Sequence, residues 1–360
     1  MRPSFFPRLV NGPFDDPGLF IPFLLEKRAI IFDLGDIHSL SSRDILKTSH
    51  VFITHAHMDH FVGFDRLLRL FLGREQHLYL YGPEGFLENV EGKLAGYSWN
   101  LVKHYSNLLA LHVTEVNPHH LITKDYLCQN RFIPASKAVK QPFNNILHKE
   151  SALSISAEIL DHSIPCLGFT IEERFHVNIR KESVSNLGLE IGPWLGEFKQ
   201  ALFNNKDPDS EFEVKYGKNN PKKKRFVLGD LTSKIALITP GQKISYIVDV
   251  MYSKSNVEKI IELAKDADHL FIEAAFLEKD REIAEKKCHL TAHQAGSIAG
   301  KARVKQFTPF HFSPRYKGQE HLLKKEAREA YDKVRTYLKN KIRVQGKARN
   351  GEKAEHTRSM

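Results

Sequence analysis

The sequence predicts an α/β layered fold. Short apolar and β-branched runs alternate with helix-period segments along most of the 360 residues. Gly, Pro and Asp close the short runs, which argues for helices packed on sheets. The 41% apolar content is that of an ordinary globular protein and excludes wholesale disorder. Taken in order, Ala29–Asp33 reads as a buried strand and turn, Val51–Thr54 as a second strand and Phe61–Phe71 as an apolar-periodic helix. Leu78–Tyr81 is a strand closed by Gly82 and Pro83, and Glu84–Leu101 is largely helical. Residues 111–147 carry a poor pattern and are expected as an insertion. Ser154–Leu160 and Leu167–Ile171 read as strands flanking His162, and residues 200–225 as an excursion or loop. Ile244–Asp249, Leu270–Glu273 and Lys305–Phe310 follow as strands, with helices at Asn256–Ala267 and Thr291–Ala302 between them.

Charge and cysteine usage narrow the function classes. The chain holds 53 Lys+Arg against 43 Asp+Glu, a net charge of +10. Residues 321–360 hold 12 of these basic residues and 5 acidic ones, and a second run is Lys222, Lys223, Lys224, Arg225. Such runs attract phosphate, but taken alone they are more often a solvated tail and a polar loop. Cys128, Cys166 and Cys288 lie far apart and offer neither a disulfide framework nor a CxxC metal site. Apolar runs such as Leu19–Leu25 are too short for a membrane span, and no secretory leader pattern opens the chain. The expectation is a cytoplasmic protein with no membrane partner. It comprises a catalytic domain over 1–320, a charged helix over 321–345 and a basic disordered tail over 346–360.

The chemistry concentrates in Thr54-His55-Ala56-His57-Met58-Asp59-His60. Four metal-ligand side chains occupy six positions between a strand and a helix. In an extended segment His55 and His57 point to the same side, because side chains alternate with period two. Asp59 and His60 then fall at the turn into the helix, displaced toward a second cation. Neutral imidazole with carboxylate suits Zn, and also accepts Mn or Fe.

This HxHxDH string resembles the metallo-β-lactamase superfamily, and the downstream pattern over about residues 24–318 is most similar to ribonuclease Z, the tRNA 3′-processing endonuclease. The resemblance implies a four-layer αββα sandwich with a dinuclear metal site at the sheet edge. It assigns the first metal to His55, His57 and His162, the last from Leu160-Asp161-His162 before Gly168-Phe169. It gives the second metal to Asp59, His60 and His311, the last from His311-Phe312-Ser313-Pro314-Arg315-Tyr316. Asp249, closing Tyr246-Ile247-Val248, is the implied bridge, and Asp33 supports the metal loop without binding. His289 in His289-Leu290-Thr291 and Glu273 in Ile272-Glu273-Ala274-Ala275-Phe276 take the places of the catalytic loops.

On this reading two divalent ions generate a hydroxide nucleophile, with Asp59 in the catalytic set. His289 protonates the leaving 3′-oxygen while Glu273 orients it. The bland alternatives are that His289 caps the following helix and Glu273 pairs with a lysine. Ser313 and Arg315 are candidates for a substrate phosphate, a structural ion pair being an equal alternative for Arg315. The implied partner is a tRNA precursor, and the family's common dimeric state extends to this chain as a homodimer. Two other readings stand beside it. One keeps the site for a cyclic nucleotide or other small phosphodiester, and the other is a non-catalytic RNA-binding protein.

Overall fold

The computed structural model describes residues 5–24, 26–134, 137–217 and 222–356, with side chains to residue 341. Two sheets face each other and carry helices on their outer sides. The first holds eight strands in chain order: β1 (Arg8–Leu9), β2 (Leu19–Pro22), β3 (Ala29–Phe32), β4 (Thr48–Phe52), β5 (Gln76–Pro83), β6 (Leu109–Val116), β7 (His120–Leu127) and β8 (Val139–Pro142). The pairs from β3 to β6 are parallel and those outside them antiparallel.

Strands β9 (Ile146–Lys149), β10 (Leu153–Asp161) and β11 (Pro165–Glu173) belong to the second sheet. An inserted unit then contributes β12 (Phe175–Ile179), β13 (Glu211–Tyr216), β14 (Lys222–Val227) and β15 (Ala236–Pro240). Strands β16 (Lys243–Ile247), β17 (His269–Glu273) and β18 (Gln306–Phe310) complete the second sheet in the order β18-β17-β16-β11-β10-β9, with β16, β17 and β18 parallel.

The continuous apolar runs have a direct reason: both faces of these strands are buried. In β3, Ala29 and Ile31 pack toward the helices Phe64–Phe71 and Phe86–Ala95, while Ile30 and Phe32 enter the core between the sheets. In β17, Leu270 and Ile272 pack toward the helices Lys254–Leu263 and Ala292–Lys301, and Phe271 turns inward. Phe32, Phe52, Phe169 and Tyr246 meet in the middle core. Three apolar layers thus hold four layers of structure, the expected αββα sandwich.

Three expectations need correction. Residues 111–147 are not an insertion: they contribute most of β6, with β7, β8 and the start of β9, paired into both sheets. Their pattern is weak because β8 is an exposed edge strand and β7, next to it, is only partly buried. The described residues within 200–225 form an excursion, as one of the two readings has it, but not a loop. They belong to the inserted unit, whose own core includes Trp194, Phe198, Val214 and Leu231. Its basic strand β14 is exposed, and there Lys223 and Arg225 pair with Glu213 and Glu211. The last helix runs Glu320–His356, so the boundary set at residue 345 falls within it. The tail expectation for 357–360 lies outside the described residues. Among the described residues no helix is long and apolar enough to cross a membrane.

Candidate metal centre

The site forms where parallel strands end. Asp33 follows β3, Thr54 and His55 follow β4, Asp249 follows β16, Glu273 closes β17 and His311 follows β18. In open parallel sheets this is the edge where ligands bind. Asp33, Asp249 and His311 all adopt left-handed backbone, with φ of 58°, 51° and 57°. That conformation is unusual for a residue with a Cβ and is held only where the surroundings enforce it. Here it turns each chain sharply at its strand end. Gly35 and Gly63 let two site loops touch, since a Cβ on Gly63 would lie 2.3 Å from the Gly35 carbonyl.

The sequence candidates converge in two groups. Ligand atoms of His55, His57, His162 and Asp249 lie within 4.8 Å of one another, and so do those of Asp59, His60 and His311. Asp249 Oδ2 sits between them, 3.4 Å from His55 Nε2, 3.2 Å from His60 Nε2 and 3.7 Å from His162 Nε2. Its Oδ1 is 2.9 Å from His311 Nδ1, directed so that no hydrogen bond forms. A third grouping of Asp249, Glu273, His289 and His311 is also close enough for an ion. The hydrogen bonds argue against it, because Glu273 Oε1 accepts from Val250 N (2.7 Å) and Oε2 from His289 Nδ1 (2.8 Å).

The donor set fits metal ions. His55 Nε2, His60 Nε2, Asp249 Oδ1 and His311 Nδ1 are buried without a hydrogen-bond partner. Four orphaned polar atoms in one spot are costly unless a further group engages them. Electrostatics agrees. Burial, with His60 alongside, pushes His55 down to about 2, so its ring stays in the neutral, ligating form. Burial would also keep His60 neutral, yet Asp33 and Asp249 raise it to about 10. Burial would raise Asp249, but His311 and His60 hold it well below the carboxylate range. The carboxylates call for positive charge between them.

The supporting groups fix the ligands. Asp33, fully buried, accepts from Thr54 N at 2.7 Å and Thr54 Oγ1 at 3.0 Å. Its Oδ2 meets His60 Nδ1 at 2.9 Å and the Tyr246 hydroxyl at 3.1 Å. His162 Nδ1 donates to the Cys288 carbonyl at 2.8 Å, turning Nε2 toward Asp249. Such bonds set the tautomer of a ligating histidine. Asn256 joins two site loops: its Nδ2 donates to the Asp161 and Met251 carbonyls (2.9 and 2.8 Å), and its Oδ1 accepts from Asp161 N.

His289 is raised from its ordinary value: burial opposes this and the Glu273 carboxylate outweighs it. It does not cap the next helix, which is capped by Thr291 in a capping box with Gln294. Glu273 is bonded to His289 and Val250 and, among the described residues, to no lysine. Beside them opens a cleft of about 280 Å³, lined by Phe14, Asp15, Asp16, Asp59, His289, His311 and Ser313 among others. Arg315 lies apart from that lining, 3.7 Å from Asp280 and over the Phe276 ring, as its structural alternative anticipates.

Sequence reasoning missed Tyr246 as the Asp33 partner, Asn256 as the loop tie and Asp15–Asp16 at the cleft. Nothing local marks them, since Tyr246 meets Asp33 across 213 positions and Asn256 meets Asp161 across 95.

No family model matches the chain. Over 291 residues, 80% of this chain and 83% of its counterpart, it is 25% identical to ribonuclease Z of Deinococcus radiodurans. Over 326 residues, 87% of each chain, it is 27% identical to ribonuclease Z of Enterococcus faecalis. The crystal structure of the metallo-β-lactamase fold protein YhfI from Bacillus subtilis superposes with a TM-score of 0.50. That match covers 91% of this chain and 94% of the other at 14% identity. With these likenesses added to the strand-end site, the chain has the metallo-β-lactamase fold and is a divergent relative of ribonuclease Z.

Proposed function

We propose that the protein is a metal-dependent phosphodiesterase, a ribonuclease Z-like endonuclease that removes 3′ trailers from tRNA precursors. The observation that carries this is the two ligand groups joined by Asp249, with the His289–Glu273 pair at the same cleft. The name of its relatives supports RNA as the substrate.

In this reading His55, His57 and His162 would hold one divalent ion, and Asp59, His60 and His311 a second, with Asp249 available to both and zinc the favoured metal. Two such ions lower the pKa of water and neutralise the attacking and leaving oxygens. The remaining steps belong to the chain. Glu273 holds His289 by Nδ1, which leaves Nε2 to face the cleft. A ring raised in pKa carries a proton there and delivers it to the departing 3′-oxygen. Asp33, held by Thr54 and Tyr246, keeps His60 oriented through Nδ1. Residues 1–320 form the hydrolase body, and the charged helix beyond adds basic surface.

A second reading, hydrolysis of a small phosphodiester, is favoured by one observation: Asp15 and Asp16 line the cleft beside Asp59, and a polyanion pays for that proximity. Cleavage of a 3′-extended tRNA precursor by zinc- or manganese-loaded protein, with product ends mapped, separates the two. A cut just after the discriminator, lost in Asp59→Ala, supports the endonuclease. An intact precursor alongside metal-dependent hydrolysis of a chromogenic diester supports the small substrate.

A further inference from the structure

Beyond the metal cleft, a second cavity of roughly 510 Å³ is lined by His38, Asp65, Arg66, Arg69, Tyr97 and Trp99, with apolar residues behind them. We propose that it is a ribonucleotide-binding subsite that holds the RNA substrate away from the scissile bond, an inference that rests on the endonuclease reading.

The helix Phe64–Phe71 buries Phe64, Leu67, Leu68 and Phe71, which leaves Arg66 and Arg69 on its outer side. Three residues apart, they are neighbours on one face, where like charges oppose each other unless an anion lies between them. Neither guanidinium has a salt bridge among the described residues, and Arg66 Nε is buried without a hydrogen-bond partner. Asp36 lies close enough to attract Arg66, but the nearby acids spend their hydrogen bonds on other partners. Asp65 Oδ2 binds Lys93 Nζ at 3.0 Å, and Asp36 Oδ1 takes both the His38 ring (2.6 Å) and the His38 backbone N–H (2.8 Å).

Asp65 Oδ1 is a buried acceptor that makes no well-formed hydrogen bond, although the Tyr97 hydroxyl interacts with its carboxylate, so the cavity offers an acceptor beside its donors. A nucleotide answers both, with phosphate for the guanidiniums and a ribose hydroxyl or base N–H for the carboxylate. The aromatic wall completes the match. Trp99 is pinned by its Nε1 bond to the Leu94 carbonyl (2.8 Å) and by edge contact with Phe132, and Tyr97 stands exposed against it. Fixed rings of this kind stack bases without sequence preference.

The cavity and the metal centre share two segments. One runs from Asp33 at the metal side to His38 at the cavity, and the other from Asp59 to Arg69. The Gly63 N–H bond to the Leu34 carbonyl (2.8 Å) ties them together. A strand crossing this paired ridge engages both sites.

The test measures steady-state cleavage of the tRNA precursor across a salt series by the metal-loaded wild type and by Arg69→Gln and Arg66→Gln. Alongside, phenylglyoxal modification of the wild type is mapped with and without mature tRNA. The expected result is a KM raised about tenfold, a salt slope shallower by about one per arginine, and protection of Arg66 and Arg69 by tRNA. Arg69 is exposed, so its variant folds; should Arg66→Gln not fold, the wild-type map and Arg69→Gln decide. Unprotected arginines, or an unchanged slope in Arg69→Gln, overturn the subsite while wild-type cleavage leaves the endonuclease reading standing. A wild type that neither binds tRNA nor cuts the precursor overturns both.

Discussion

Strand β3 carries a histidine–carboxylate cluster at each end, and the two differ in what they leave open. At its start, Arg28 grips Glu150 with both terminal nitrogens (2.5 and 2.7 Å), and His148 Nε2 meets the same carboxylate at 2.8 Å. His50 packs beside them, its ring 4.2 Å from the His148 ring and tilted to it by 50°. At its other end Asp33 supports a cluster in which four buried polar atoms have no hydrogen-bond partner. The residue types are similar. In the first cluster a guanidinium supplies the positive charge and the carboxylate is engaged. In the second, among the described residues, no lysine or arginine pairs with Asp249, and the buried histidines His60 and His311 carry the positive charge unless bound cations take that place. Histidine and carboxylate alone do not mark a metal centre; orphaned atoms converging on one point do.

The comparison is sharpest at Asp249. Asp249→Ala is expected to strip bound metal, read by elemental analysis, and to take turnover below detection. Full metal content with full activity would break the contrast. His289→Ala should lower kcat by roughly 10²–10⁴-fold at unchanged metal content, the usual worth of a positioned acid. Glu273→Gln keeps an acceptor for Nδ1 and should lose less. For Asn256→Ala we expect metal affinity weakened about 10–100-fold, as for other residues that orient ligands, measured by competition with a chelating dye.

The closed cluster should behave oppositely. Glu150→Ala is expected to cost about 1–3 kcal/mol of stability in urea melts, the scale of hydrogen bonds to charged groups, and to leave metal content intact. Acid provides a further separation. Burial would raise Glu150, but His148 and Arg28 outweigh it and bring it down to about 2. Its contribution is therefore complete above its unfolded value near 4.5 and is lost as pH falls from there toward 2. Burial, then His148, lowers His50 from 6.5 to about 3. The unfolded chain takes up that proton first, so this contribution is full above 6.5 and lost as pH falls toward 3. Metal-depleted protein should thus lose stability progressively below pH 6.5, and Glu150→Gln should flatten only the part below about 4.5. An unchanged profile in that variant would remove Glu150 from the account.

How much of this was legible in the sequence depends on how local each signal is. The strand runs at Ala29–Phe32 and Leu270–Glu273 were readable because burial on both faces makes every residue apolar. His55, His57, Asp59 and His60 were readable because one strand-to-helix turn delivers four ligands within six positions. Strands β7 and β8 were not, since a partly buried strand and the exposed edge beside it impose little pattern, and the inserted unit hid its core among polar residues around 200–225. Arg66, Arg69, Tyr97 and Trp99 carried no signal either, as a helix surface and a following turn look like ordinary solvent-facing chain.

By itself the sequence determined the layered α/β class, the residues able to bind metal and, through ordered resemblance, the order in which they enter the site. Those follow from side-chain chemistry and short-range periodicity, which a linear string carries in full. Only the tertiary structure decided that Tyr246 and Asn256 brace the site, that Arg315 turns to Asp280, and that Arg66 and Arg69, without a salt bridge among the described residues, share a cavity with Tyr97 and Trp99. Each depends on strands and loops tens to hundreds of positions apart meeting at one sheet edge. That meeting is fixed by how the three apolar cores pack, and no local pattern encodes it.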